Sequence, residues 1–220
     1  MSLLTRQALA DGALRERLSL TGQPAWSEAR IAQSLADTLA RRPDAAGPVW
    51  VFAYGSLIWN PLIRVEAACN ALLPGWRRSF CLRTVVGRGR PEAPGRMLSL
   101  QPGGQTHGVA LRLAEHEAAH ELRLLWAREM AMGSYRPAWV QLALADGGTA
   151  QAIAFVAEPG HPNHEPDDSV PTVAAHIAVA EGAFGRNIDY LLSLQQALAE
   201  RGLHDGYVQA LVAAVDGLRA

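Results

Sequence analysis

The sequence predicts a mixed α/β fold, a largely antiparallel sheet or small β-barrel with helices packed outside it. Three observations carry this expectation. Apolar runs of strand length, separated by Pro and Gly, fill the middle of the chain. Stretches with helical spacing lie at both ends, and one helical stretch interrupts the strands. A chain of 220 residues can bury one sizeable core, and 49% hydrophobic with 19% charged residues is the composition of a folded globular protein.

Residues 1–45 read as two helical pieces broken at Gly22, Gln23 and Pro24. Ser27 is placed to cap the second piece ahead of Ile31, Leu35 and Leu39, and Arg41, Arg42 and Pro43 close it. These features define an N-terminal helical extension over residues 1–47, packed on a single-core domain over residues 48–220. Val49, Trp50, Val51, Phe52 and Ala53 form an apolar run that enters a turn at Tyr54, Gly55 and Ser56, the pattern of a buried strand. Residues 65–73 alternate partly and stop at Pro74 and Gly75, and residues 76–86 read as a further strand. Residues 87–95, rich in Arg, Pro and Gly, read as an exposed loop. Residues 97–100 and 108–113 flank Pro102, Gly103 and Gly104, which predict a hairpin turn over 101–105. Residues 114–130 are helical, and 135–145 and 150–157 form a second hairpin around Asp146, Gly147 and Gly148. A polar loop follows over 158–171, and the remainder is helical.

The charge balance excludes several function classes. Twenty basic against twenty-one acidic residues leave a net charge of -1, so no long-range field gathers nucleic acid or an anionic membrane. Every basic residue is arginine, which removes Schiff-base chemistry and a P-loop lysine. Cys69 and Cys81 lack CxxC spacing and lie in strand-like runs, as expected of buried thiols in a reducing cytosol. Residues 1–17 mix charged and apolar positions unlike a signal peptide, and no apolar stretch reaches the length of a membrane span. The expectation is a soluble, cytoplasmic protein.

Helical geometry singles out Glu129. At about 100° per residue, Ala118, Leu122, Leu125, Trp126 and Glu129 share one narrow arc, so a carboxyl group joins a core-facing stripe. Such a group either pairs with a cation, or rolls out to solvent at the helix end, or takes a raised pKa suited to acid/base chemistry. On the same helix, His116, Glu117 and His120 match the HExxH pattern of zinc peptidases, but both histidines fall on the opposite, solvent-facing arc. The metzincin extension fails because Arg123 and Trp126 occupy its glycine and histidine positions. His161, His164, Glu165, Asp167 and Asp168, in a proline-rich loop, offer ligands for a divalent ion, but the composition reads first as a polar surface loop, one that could also cover a pocket. No GxSxG elbow surrounds Ser56, and the glycine pattern begun by Gly87 and Gly89 is not completed as a dinucleotide fingerprint. The turn at Tyr54, Gly55 and Ser56 reads either as an ordinary tight turn or as one that permits close backbone approach to a ligand.

Val51-Phe52-Ala53-Tyr54-Gly55-Ser56-Leu57-Ile58-Trp59 resembles the YGSL segment of the ChaC-type γ-glutamylcyclotransferases. Arg78 and Phe80, then Pro94-Gly95-Arg96, then Leu125-Trp126-Ala127-Arg128-Glu129 with Gly133 and Tyr135 follow in the family's order. Gly185, Asn187, Tyr190 and Leu191 complete it. The resemblance implies a cytosolic enzyme that cleaves glutathione to 5-oxoproline and cysteinylglycine. It assigns the acid/base role to Glu129 and γ-glutamyl binding to Val51, Phe52, Ala53, Tyr54, Gly55, Ser56 and Leu57. Tyr135 and Tyr190 are expected either as further pocket contacts or as core tyrosines. Ala53 stands where the family commonly has glycine. Ring closure by the substrate's own amine is intramolecular, so the implied reaction needs no metal or cofactor. The rival readings are a cyclotransferase for other γ-glutamyl peptides or amines, a noncatalytic binding protein of the same fold, and a zinc peptidase using His116 and His120.

Overall fold

The computed structural model describes residues 4–19, 25–43 and 47–219. Five strands close into a barrel: β1 (Trp50–Ala53), β2 (Ala67–Thr84), β3 (Gly95–Arg112), β4 (Tyr135–Leu144) and β5 (Thr149–Ala157), in the order β1-β3-β2-β4-β5. The pairing of β1 with β5 is parallel and the others are antiparallel.

The expected hairpin turn over 101–105 is absent. β2 and β3 are each continuous over 18 residues. Pro74 pairs with Gln105 and Trp76 with Pro102, so Gly75 on one strand and Gly103 and Gly104 on the other form a bulge. These glycines take positive φ values of 79°, 105° and 66°, conformations that serve a bulge as readily as a turn. The true connection between β2 and β3 is the loop over 85–94. Gly87 and Gly89 within it are buried, contrary to the exposed loop expected. The cause is a two-residue ribbon, β6 (Glu181–Gly182) with β7 (Gly185–Arg186), in a region expected to be wholly helical. The Phe184 amide between these strands donates to the Gly87 carbonyl at 2.7 Å. The hairpin of β4 and β5 turns at Asp146, Gly147 and Gly148 as expected.

Helices cover the barrel from two sides. Between β3 and β4, α4 (Ala118–Glu129) buries Leu125 and Trp126 against Val51, Ala53 and Phe155. The same core takes Leu9 from α1 (Arg6–Ala10), Leu14 and Leu18 from α2 (Ala13–Ser19) and Ile31 from α3 (Glu28–Ala40). Ser27 caps α3, its hydroxyl accepting from the Arg30 amide at 3.2 Å. The first helical piece is divided at Asp11 and Gly12, whereas the break expected at Gly22, Gln23 and Pro24 lies outside the described residues. On the other side, α5 (Val170–Val179), α6 (Asn187–Glu200) and α7 (Gly206–Arg219) pack Ile177, Leu191 and Leu211 into a core with Phe52, Leu73 and Phe80. Among the described residues no helix is long and apolar enough to cross a membrane. Cys69 and Cys81 are both on β2 and unpaired; Cys81 is buried, but Cys69 is half-buried rather than buried as expected.

Candidate active site

Glu129 is the last residue of α4, and the apolar stripe that holds the helix to the barrel carries it inward. Leu122, Leu125 and Trp126 are each at most 2% exposed, and the Glu129 side chain is 14% exposed. It stands on the wall of a cavity of 270 Å³ together with Ser56, Arg128, Tyr135 and Tyr190. A larger groove of 1220 Å³ runs between α3 and β4, but Glu129 is not on its wall.

The neighbouring Arg128 organises this corner. Its Nε lies 2.9 Å from Glu129 Oε1, one Nη donates to Ser56 Oγ at 2.8 Å, and the other reaches the Asn60 and Pro61 carbonyls. One guanidinium therefore fixes the acid and the turn after β1 to each other. Burial pushes the Glu129 carboxyl above the usual carboxylate range, and Arg128 offsets only part of that effect.

Tyr135 and Tyr190 line the cavity with the acid, and Tyr54, off its wall, is near enough to feel the charge of Glu129. Loss of solvation and then the charge of Glu129 raise Tyr190 to about 12. Loss of solvation also leads the upward shift of Tyr54 and Tyr135, with Glu129 again contributing. All three therefore remain protonated donors near neutrality. The Tyr54 hydroxyl donates to the Phe155 carbonyl and Tyr135 to the Leu98 carbonyl at 3.0 Å, so two of the phenols are bound to main chain. Tyr190 makes no such bond to a main-chain carbonyl among the described residues; its hydroxyl lies beside Ser56, which offsets part of the upward shift. Gly55 makes this arrangement possible, because a Cβ there would lie 3.1 Å from the Tyr190 oxygen and 3.2 Å from Leu98.

The other residues expected at the site have different surroundings. Val51, Phe52 and Ala53 are fully buried and Leu57 is 6% exposed; none of them is on the cavity wall. The Ala53 methyl packs into the core facing α4, so the glycine-to-alanine departure does not narrow the cavity. His116 and His120 are exposed, and among the described residues no three His, Cys, Asp or Glu side chains converge as a metal site. In the 158–171 loop, His161 bonds the Met132 carbonyl at 3.0 Å and Asp168 pairs with Arg77.

Several supporting residues escape a reading of isolated stretches. Arg78, whose side chain is fully buried, donates from Nε to the Tyr54 carbonyl at 2.8 Å, pairs with Asp205 at 2.7 Å and donates to the His107 carbonyl. It thereby sets the end of β1. Asn187, fully buried at the start of α6, accepts from the Arg96 amide at 2.7 Å and donates to the Arg96 carbonyl at 2.9 Å. Those two bonds tie the helix that bears Tyr190 to β3. The only sequence signal for either role is their place in the ordered motif set.

This arrangement defines the class of fold. A crystal structure of a yeast γ-glutamyl cyclotransferase specific to glutathione superposes with a TM-score of 0.71 at 22% identity, covering 79% of this chain and all of that one. The chain belongs to the ChaC-like protein family, whose model matches residues 49–218. Glutathione-specific gamma-glutamylcyclotransferase from Escherichia coli is 48% identical over 96% of this chain and 88% of its own length. Glutathione-specific gamma-glutamylcyclotransferase 1 from Homo sapiens is 30% identical over 76% of this chain and 78% of its own.

Proposed function

We propose that this protein is a lyase that degrades glutathione by intramolecular cyclisation, releasing 5-oxoproline and cysteinylglycine, with Glu129 as the acid/base. The observation that carries the reading is the buried carboxyl of Glu129 on the cavity wall, near protonated phenols and fixed by Arg128 to the turn at Ser56. The 48% identity to the Escherichia coli glutathione-specific enzyme supports the choice of substrate.

The reaction balances without a co-reactant. The α-amine of the γ-glutamyl unit attacks its own γ-carbonyl carbon, forming the C–N bond of a five-membered ring. Glu129 takes a proton from that amine. Negative charge gathers on the carbonyl oxygen, where the Tyr190 hydroxyl is the donor at hand. The amide bond to cysteine then breaks, and Glu129 returns the proton to the departing nitrogen. Closure within one bound molecule supplies the proximity that a separate enzyme nucleophile would otherwise provide. The free thiols Cys69 and Cys81 and a thiol substrate both suit a reducing cytoplasm.

Incubation with glutathione should give 5-oxoproline and cysteinylglycine in equal amounts. Parallel reactions with other γ-glutamyl dipeptides and γ-glutamyl amines decide the donor range. A higher kcat/KM for any of those donors than for glutathione would replace the substrate while keeping the chemistry, and binding without product would leave a noncatalytic protein.

A further inference from the structure

The family match begins at residue 49, yet Leu4, Leu14 and Leu18 lie on the wall of the cavity that holds Glu129. The segment that bears them is built into the site. Arg6 makes a bidentate pair with Glu121 at 2.6 and 2.8 Å and donates to the Leu62 carbonyl at 2.9 Å. Glu121 is fully buried and also accepts from the Arg64 amide at 2.8 Å. Glu121 and Glu129 are about two turns apart on α4, so one rigid helix carries both the acid and the anchor of the N-terminal segment.

We propose that residues 4–19 form the specificity wall of this cavity, closing it on the leaving-group side and excluding γ-glutamyl donors with bulk on the cysteine sulfur. The inference rests on the function proposed above. With the γ-glutamyl unit at Ser56 and Tyr190 and the scissile nitrogen at Glu129, the departing dipeptide occupies the rest of the cavity. There Arg83 and Arg88 offer cations to its carboxylate, and the three leucines offer an apolar surface to its thiol-bearing side. A volume of 270 Å³ is just below the roughly 300–1,000 Å³ typical of ligand pockets, which leaves little space for an S-alkyl chain.

The test compares kcat/KM for S-hexylglutathione with that for glutathione, in the wild type, in Leu14→Ala/Leu18→Ala and in Arg6→Met. The first variant trims the wall, and the second releases its anchor without altering the leucines. The ratio is insensitive to partial unfolding, because lost active protein lowers both rates equally. The expected result is at least a tenfold rise in the ratio in both variants. Should the double variant not fold, Arg6→Met decides alone. An unchanged ratio in the folded variants, with a wild type active on glutathione, overturns the wall and spares the function; a wild type inactive on glutathione overturns both.

Discussion

Arg128 and Glu129, consecutive on α4, form a 2.9 Å ion pair while Arg128 also donates to Ser56 Oγ at 2.8 Å. The pair opposes the upward pull of burial on the acid. Arg128→Met removes that opposition, so the Glu129 carboxyl rises further. Since the carboxylate must be ionised to accept the amine proton, the limb of kcat that increases with pH should move to higher pH. Turnover at neutral pH should fall about tenfold or more. A pH profile of 5-oxoproline release measures both, and an unmoved limb would deny Arg128 this role.

Glu129 also makes stability depend on pH in a predictable direction. Its folded pKa lies above its unfolded one, so between the two values the native state holds more proton and stability declines as pH rises. Glu129→Gln lacks this loss. Thermal melts of the two proteins should be nearly alike at pH 4 and should separate in favour of the variant as pH increases through the raised pKa. A gap that narrows with pH would mean that the ionised form is the one favoured by the fold.

Tyr190 is the phenol whose proton is not committed to a main-chain carbonyl. Tyr190→Phe should lower kcat about 100-fold with a much smaller change in KM, the pattern of a donor used in the transition state. Gly55→Ala should push the same hydroxyl aside and give a loss of the same kind, because its Cβ would approach the oxygen at 3.1 Å. Steady-state kinetics on folded variants separates these outcomes, and a rise in KM alone would make both positions binding contacts only.

Asn187 supplies the cross-check on architecture. Asn187→Ala orphans a buried amide and a buried carbonyl of Arg96, which costs about 3 kcal/mol. In a chain of this size that corresponds to a fall in Tm on the order of 6–12 °C. Calorimetry should find it, and an unchanged Tm would show that water satisfies both groups.

Much of this molecule was legible in its residues because the signals were local. The stripe of Leu122, Leu125 and Trp126 on α4 carries Glu129 inward as the helical period predicts, and the opposite arc leaves His116 and His120 exposed. The turn at 146–148 is a hairpin as its glycines suggest. What failed to read was decided by distant partners. Pro74-Gly75 and Pro102-Gly103-Gly104 look like chain punctuation, yet their mutual register turns them into a bulge in one long ribbon. Glu121 sits beside the HExxH letters, and its burial is satisfied by Arg6 and the Arg64 amide, both far away in sequence. Phe184 covers the 85–94 loop for the same kind of reason.

The most direct measurement is the NMR-monitored fate of glutathione with chelator-treated wild type and Glu129→Gln, each shown to be folded. The wild type should form 5-oxoproline and cysteinylglycine in step, and the variant should lose about 1,000-fold in kcat. Turnover in the folded variant within a few-fold of wild type would contradict the assignment of proton transfer to Glu129.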